Sequence, residues 1–216
     1  RQAARRGCVV SVLQCSAEDW AMPVQNRLLC ESGTWVQALA DIASAVASEK
    51  GVASPVVGTA GEVATQIARA LISGENKAIL LGNAAAHHAK ATSLLSLASW
   101  IGEQTGATVG YLSEAANTVG AQFAGALPGA GGLNAGQMLD GGLKAVILLN
   151  NEPEYDSAAG AAAASSMSKV DMVVTLSPFK ANMAFSDVLL PIAPFTETSG
   201  TFVNAEGRVQ SFHAVV

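Results

Sequence analysis

Apolar residues along this 216-residue chain fall into two alternating patterns. Short, largely apolar and β-rich runs read as buried strands: 8–13, 78–82, 108–112, 145–149, 172–176 and 187–190. Between them, apolar residues recur at helical spacing. Trp35, Val36, Leu39, Ile42, Ala43 and Val46 predict a helix, with Ser32 or Thr34 as N-cap and Gly51 as terminator. Thr59 and Glu62 have capping-box spacing and predict a helix that buries Val63, Ile67, Ala70 and Leu71 and stops at Gly74. Ala84 to Gln104 reads as one long helix, Ser113 as the cap of a short one, and Tyr155 to Ser168 as an Ala-rich one. Strand–helix alternation with largely apolar strands predicts α/β architecture: mostly parallel, Rossmann-like sheets with helices on both faces.

The segment 128–142 holds six glycines and interrupts the alternation. It divides the chain into a first α/β lobe (1–127), a Gly-rich connection (128–142) and a second α/β lobe (143–216). The second lobe ends differently. Thr201–Val203 and Arg208–Gln210 flank Asn204-Ala205-Glu206-Gly207, which predicts a hairpin or tight loop. Phe202 and Val209 are expected to point inward, Gly200 and Gly207 to supply positive φ, and a buried Arg208 to tie the arms.

Composition narrows the function. Half of the residues are hydrophobic and only 13% charged, which excludes disorder. A net charge of −5 argues against a nucleic-acid binder. So few charges on so apolar a chain point to an exterior partly covered by other protein. The longest uncharged stretch, 115–139, carries Gly, Asn, Gln and Pro128 and does not read as a spanning helix. The apolar run after Arg1, Arg5 and Arg6 is too short for a signal peptide. The chain starts at Arg1 and reads as a segment of a longer polypeptide.

Candidate chemistry is sparse. Cys8, Cys15 and Cys30 are spaced C-x6-C-x14-C, read as core thiols; an iron–sulfur cluster normally takes four ligands. The adjacent His87 and His88 follow a strand end, where α/β sheets bind ligands, but diverge too far on a helix to share a metal. Gly129-Ala130-Gly131-Gly132-Leu133-Asn134 lacks the third Gly of a dinucleotide fingerprint and any following Lys-Ser/Thr. It reads as a flexible connection. The best-placed loop is Asn150-Asn151-Glu152-Pro153, after the strongest strand, although acids and Pro also suit a helix start. No nucleophile elbow is visible.

Ser186-Asp187-Val188-Leu189-Leu190-Pro191 followed by Glu197-Thr198-Ser199-Gly200-Thr201-Phe202-Val203-Asn204-Ala205-Glu206-Gly207-Arg208-Val209-Gln210 resembles the molybdopterin oxidoreductase superfamily. The superfamily carries A-D-V-x-L-P and then E-x-x-G-T-x-x-N-x-E-G-R-x-Q. Lys77–Gly82, Gly110–Asn117 (the "G-x-L-x-E-A-A-N" run) and Leu149–Pro153 are similar to further family segments, with Asn150 replacing a Gly. The resemblance spans roughly 7–216 and implies domains like those of formate dehydrogenase and DMSO reductase. The wording is most similar to the large iron–sulfur subunit of bacterial NADH–quinone oxidoreductase, respiratory complex I. That branch implies a scaffold module supporting electron transfer from NADH to quinone, with no catalytic site of its own. Its [2Fe–2S] and [4Fe–4S] clusters would lie upstream and none in this segment, so the segment alone should bind neither iron nor nicotinamide nucleotide. Its partners would be other peripheral-arm subunits and the iron–sulfur domains of the same chain, at the cytoplasmic face of the bacterial inner membrane without insertion. The alternative is the cofactor-binding half of a molybdenum or tungsten bis-pterin enzyme such as a formate dehydrogenase. Asn150, Asn151, Glu152, Glu197, Asn204 and Arg208 are the residues that would line a relic of that cofactor site.

Overall fold

The strand runs fold into small parallel sheets, described over residues 1–215 by a computed structural model that divides into two units, Arg1–Glu114 and Ala115–Val216. The division falls ahead of the Gly-rich stretch expected to connect the lobes.

In the first unit, α1 (Gln2–Arg5) precedes β1 (Ser11–Gln14) and β2 (Asn26–Leu29), which pair in parallel from Ser11↔Asn26 to Gln14↔Leu29. The sequence pattern missed β2, because Asn26 and Arg27 break its apolar run. Next come α2 (Trp35–Lys50), α3 (Glu62–Ser73), β3 (Ala78–Leu81), α4 (Asn83–Ala86), α5 (Ala91–Thr105) and β4 (Thr108–Tyr111). The β3–β4 pair is also parallel, from Ala78↔Thr108 to Leu81↔Tyr111. Three helix stripes make the core: Ile42, Ala43 and Val46 from α2, Ala64, Ile67 and Ala68 from α3, and Leu97 and Ile101 from α5. Small residues on α2 and α3 let the helices approach closely. Gly51 ends α2 at φ 67°, a left-handed C-cap as expected.

Four local expectations need correction here. Cys8 and Cys15 are exposed and Cys30 is half-buried, so these are not core thiols; β1 starts three residues later than the apolar run and leaves Cys8 outside it. The Thr59–Glu62 capping box does not form: Gly61 is the N-cap, while the Thr59 N–H donates to Asp41 Oδ1 at 2.8 Å. The helix expected over 84–104 breaks at His87–Lys90. There the Lys90 N–H donates to His88 Nδ1 at 2.9 Å, and the His88 ring stacks on Trp35 with centroids 5.9 Å apart. These partners override the helical periodicity. Ser113 caps nothing; the next helix starts after Asn117.

The second unit contains α6 (Thr118–Phe123), α7 (Ala135–Leu139), β5 (Ala145–Leu149), α8 (Pro153–Asp156), α9 (Ala161–Met167), β6 (Met172–Leu176) and β7 (Val188–Leu190). The hairpin strands β8 (Gly200–Val203) and β9 (Val209–Phe212) follow. A three-stranded parallel sheet runs β5-β6-β7, and β8–β9 is the antiparallel exception. Helix α7 lies inside the Gly-rich stretch. Asn134 caps it, accepting from the Gln137 N–H while Gln137 Oε1 accepts from the Asn134 N–H, each at 2.9 Å. The Ala-rich helix expected from 155 to 168 is split between α8 and α9 around Gly160, at φ 52°. The mostly parallel α/β class read from the sequence is what the chain forms. No helix among the described residues is long and apolar enough to cross a membrane.

Candidate functional site

The carboxyl ends of β5 and β6 lie level, because Leu149 registers with Leu176. Whatever follows each strand therefore meets at one edge, the position where open α/β sheets present ligand-binding loops. After β5 the chain turns sharply at Asn150, whose φ of 49° places it in the left-handed region. Its N–H still donates to the Leu176 carbonyl, at 2.7 Å. Asn tolerates this conformation better than other residues except Gly, which suits it to the turn. Asn150 itself is exposed.

Three polar side chains lock the edge. The Ser177 hydroxyl, 2% exposed, donates to Glu152 Oε1 and accepts from the Phe179 N–H at 3.0 Å. Asn182, also 2% exposed, donates through Nδ2 to the Asn151 carbonyl at 2.9 Å. Behind it, Ser186 Oγ donates to the Asn182 carbonyl at 2.8 Å and sits 2.7 Å from Thr175 Oγ1. The Glu152 N–H is held by Asp156 Oδ2 at 2.7 Å. The sequence named Asn150, Asn151 and Glu152 but missed Ser177 and Asn182. The signal is positional: Ser177 directly follows β6, whose register with β5 sets it beside the β5 turn.

The remaining three sequence candidates lie elsewhere. Glu197 is exposed on a short 3₁₀ turn, Phe195–Glu197. Asn204 and Arg208 belong to the hairpin loop, where Asn204 Oδ1 accepts the N–H groups of Glu206 at 3.0 Å and Arg208 at 2.9 Å. Arg208 is exposed and its guanidinium lies 3.9 Å from the exposed Glu206, so it does not tie the arms. Among the described residues no hydrogen bond links these three side chains to the β5–β6 edge. Gly207 does adopt positive φ, at 78°. Gly200 does not; a Cβ there would stand 2.7 Å from the Phe212 ring. Phe202 packs on Phe212 edge to face at 4.8 Å, while Val209, expected inward, is exposed. Phe212 lies two residues past the motif, on the same face as Phe202.

In the first unit, His87 Nε2 lies 2.8 Å from Glu114 Oε2, both exposed. His88 Nε2 lies 3.0 Å from the Ser32 carbonyl. Since Nδ1 accepts from Lys90, Nε2 carries the proton. The two rings thus serve different partners and share no ion. Two open depressions also belong to this unit. One, of about 430 Å³, runs along α5 and β4 past Ser99, Glu103 and Thr108. The other, about 410 Å³, lies between β2, α2 and α3, lined by Cys30, Gln37, Asp41, Thr59 and Glu62. Among the described residues no hydrogen bond in either joins a Cys, Ser or Thr side chain to a carboxylate. Among the described residues no three His, Cys, Asp or Glu side chains converge to hold a metal.

None of the curated proteins compared with the chain matches it. Residues 32–216, most of both units, match the family described as Molybdopterin oxidoreductase. With the parallel α/β units and the terminal hairpin motif, this match shows that the chain belongs to the molybdopterin oxidoreductase family.

Proposed function

We propose that this chain is a non-catalytic scaffold module of the large iron–sulfur subunit of an NADH–quinone oxidoreductase. It would support electron transfer from NADH to quinone through clusters held in other domains. The observation that carries this reading is the closed state of the β5–β6 edge. A pterin cofactor of this family brings phosphates and needs hydrogen-bond donors or cations turned toward it. At this edge the Ser177 hydroxyl and the Asn182 amide are spent on Glu152 and Asn151. The side chain at the mouth is a carboxylate, which repels phosphate. No buried side-chain N or O among the described residues lacks a partner, so none waits for a ligand. The residues present at this edge therefore do not fit the group.

The module's role would then be mechanical: to hold cluster-bearing domains and neighbouring peripheral-arm subunits in place at the cytoplasmic side of the membrane. The exposed apolar residues Ile147, Leu149, Phe179 and Met183 suit burial against such protein. The second reading, the cofactor-binding half of a molybdenum or tungsten bis-pterin oxidoreductase, draws on Asn150. Its left-handed φ of 49° leaves the backbone a turn that a Gly, which the resemblance places there, would also adopt.

One experiment separates them. The full-length subunit, purified within its native complex, is assayed for iron, molybdenum and tungsten by mass spectrometry, and for pterin by fluorescence after oxidative release. The scaffold reading expects iron alone. Stoichiometric molybdenum or tungsten together with pterin overturns it in favour of the second.

A further inference from the structure

Cys15 and Cys30 are the one feature of the sequence that neither core packing nor the scaffold role accounts for. Strands β1 and β2 run parallel and end in the register Gln14↔Leu29, a pair closed by the Cys30 N–H, which donates to the Gln14 carbonyl at 3.1 Å. The next pair in register is therefore Cys15 opposite Cys30. Directly opposed residues of parallel strands share a face, and side chains alternate with period two. Asn26 Nδ2 donates to Ser11 Oγ at 2.9 Å, so registered side chains on this face reach one another. Two residues on, Leu13 faces Leu28; four residues on, the same register sets Cys15 and Cys30 side by side on that face. Adjacent strands lie about 4.8 Å apart, within the roughly 4.4–6.8 Å between Cα atoms that a disulfide spans.

The surroundings favour reversible chemistry over a buried structural bond. Cys15 is exposed and stands in the bend that ends β1, and Cys30 is half-buried at the rim of the depression between β2, α2 and α3. The Cys30 backbone is fixed, since Trp35 Nε1 donates to its carbonyl at 3.3 Å. An accessible thiol in a bend thus stands beside one on a held backbone.

We propose that Cys15 and Cys30 form a redox-active thiol pair that closes into a cross-strand disulfide by exchange with a small-molecule disulfide of the glutathione type. The exposed Cys15 thiolate attacks one sulfur of the small disulfide. That S–S bond breaks, one small thiolate leaves, and a mixed disulfide forms on Cys15. The Cys30 thiolate then attacks Cys15 Sγ and expels the second small thiolate. The pair loses two electrons, the small disulfide gains them, and the two cysteine protons end on the released thiolates. The bond would clamp the loop between β1 and β2, which carries the exposed Trp20, and would draw in the rim of the depression.

Trypsin makes the pairing readable. Cleavage after Arg6, Arg27 and Lys50 places Cys8 and Cys15 in the peptide 7–27 and Cys30 in 28–50. The folded chain carrying Cys8→Ser is incubated with oxidised glutathione, quenched with N-ethylmaleimide, digested without reductant and weighed. The expected product is a monomer with 7–27 linked to 28–50, free of glutathione and of N-ethylmaleimide. Dithiothreitol should return both peptides to the labelled form. In Cys15→Ser and Cys30→Ser chains the remaining partner thiol should end as a stable glutathione adduct. Separate adducts or labels on 7–27 and 28–50 in the Cys8→Ser chain overturn the proposal, as does a disulfide joining two molecules.

Discussion

At Gly58 a single hydrogen atom decides the fit of a loop on a helix. A Cβ there would lie 2.4 Å from the Ala40 carbonyl oxygen and 2.8 Å from the Asp41 nitrogen, both backbone atoms of α2. Backbone in a packed helix cannot yield as a side-chain tip can. Gly58→Ala is expected to destabilise the first unit by about 3 kcal/mol, as overpacking does; Gly33→Ala, whose Cβ would meet open space, serves as the control. Urea melts of both variants check it, and equal midpoints would mean that the loop simply lifts away. The hairpin loop offers a second contrast. Asn204 Oδ1 holds two backbone N–H groups, whereas Arg208 is exposed. Asn204→Ala should cost about 1–2 kcal/mol, and Arg208→Ala less than about 0.5 kcal/mol. The reverse order in chemical unfolding would restore Arg208 as the tie between the arms.

Among elements, the join between α6 and the terminal hairpin rests on one amide. Asn117 Oδ1 accepts the Val203 N–H at 2.9 Å, linking residues 86 positions apart. That geometry needs Gly120, because a Cβ there would overlap Asn117 Oδ1 at 1.9 Å. Asn117→Ala and Gly120→Ala should therefore both accelerate hydrogen exchange at the Val203 amide, while Asn117→Asp, which keeps an acceptor oxygen, should preserve its protection. Unchanged exchange in Asn117→Ala would show that water or another group replaces the amide. The sequence made Asn117 visible as part of a motif but not its partner, since nothing local encodes a contact so distant in the chain. The same limit explains the other differences. Strands β3, β4, β5 and β6 were legible because each is a short run rich in apolar and β-branched residues between turn signals. Strand β2 was not, because Asn26 turns inward to Ser11 instead of to water. The break at His88 depends on Trp35, more than fifty residues earlier, and no window of helical spacing registers it. At the β5–β6 edge the loop Asn150–Glu152 could be read from its place after a strand. Ser177 and Asn182 could be read only once the strand register was known.

The molecule as a whole is unevenly built. The first unit owns a helix-packed apolar core, with Val46, Ala68, Ala98 and Ile101 at or near zero exposure. The buried interior of the second unit is thinner and more polar: Ala163, Met167 and Val173 beside Thr175, Ser177 and Asn182. Apolar burial is the main favourable contribution to folding, whereas a satisfied buried hydrogen bond adds only about 1 kcal/mol net. The second unit also exposes Ile147, Leu149, Phe179, Met183 and Phe195, whose side chains add little to the stability of the fold. The two units should consequently differ in stability, the second opening first. Hydrogen exchange followed by mass spectrometry through a urea series gives the order directly. Peptides from α2, α3 and α5 are expected to stay protected at urea concentrations where those from β5, β6 and α9 already exchange. Coincident loss of protection, or earlier loss in α2, would mean that burial within each unit does not set its stability. If the proposed scaffold role holds and other protein covers the apolar surface of the second unit, the gap should narrow when the same peptides are followed in the proposed full-length subunit within its complex.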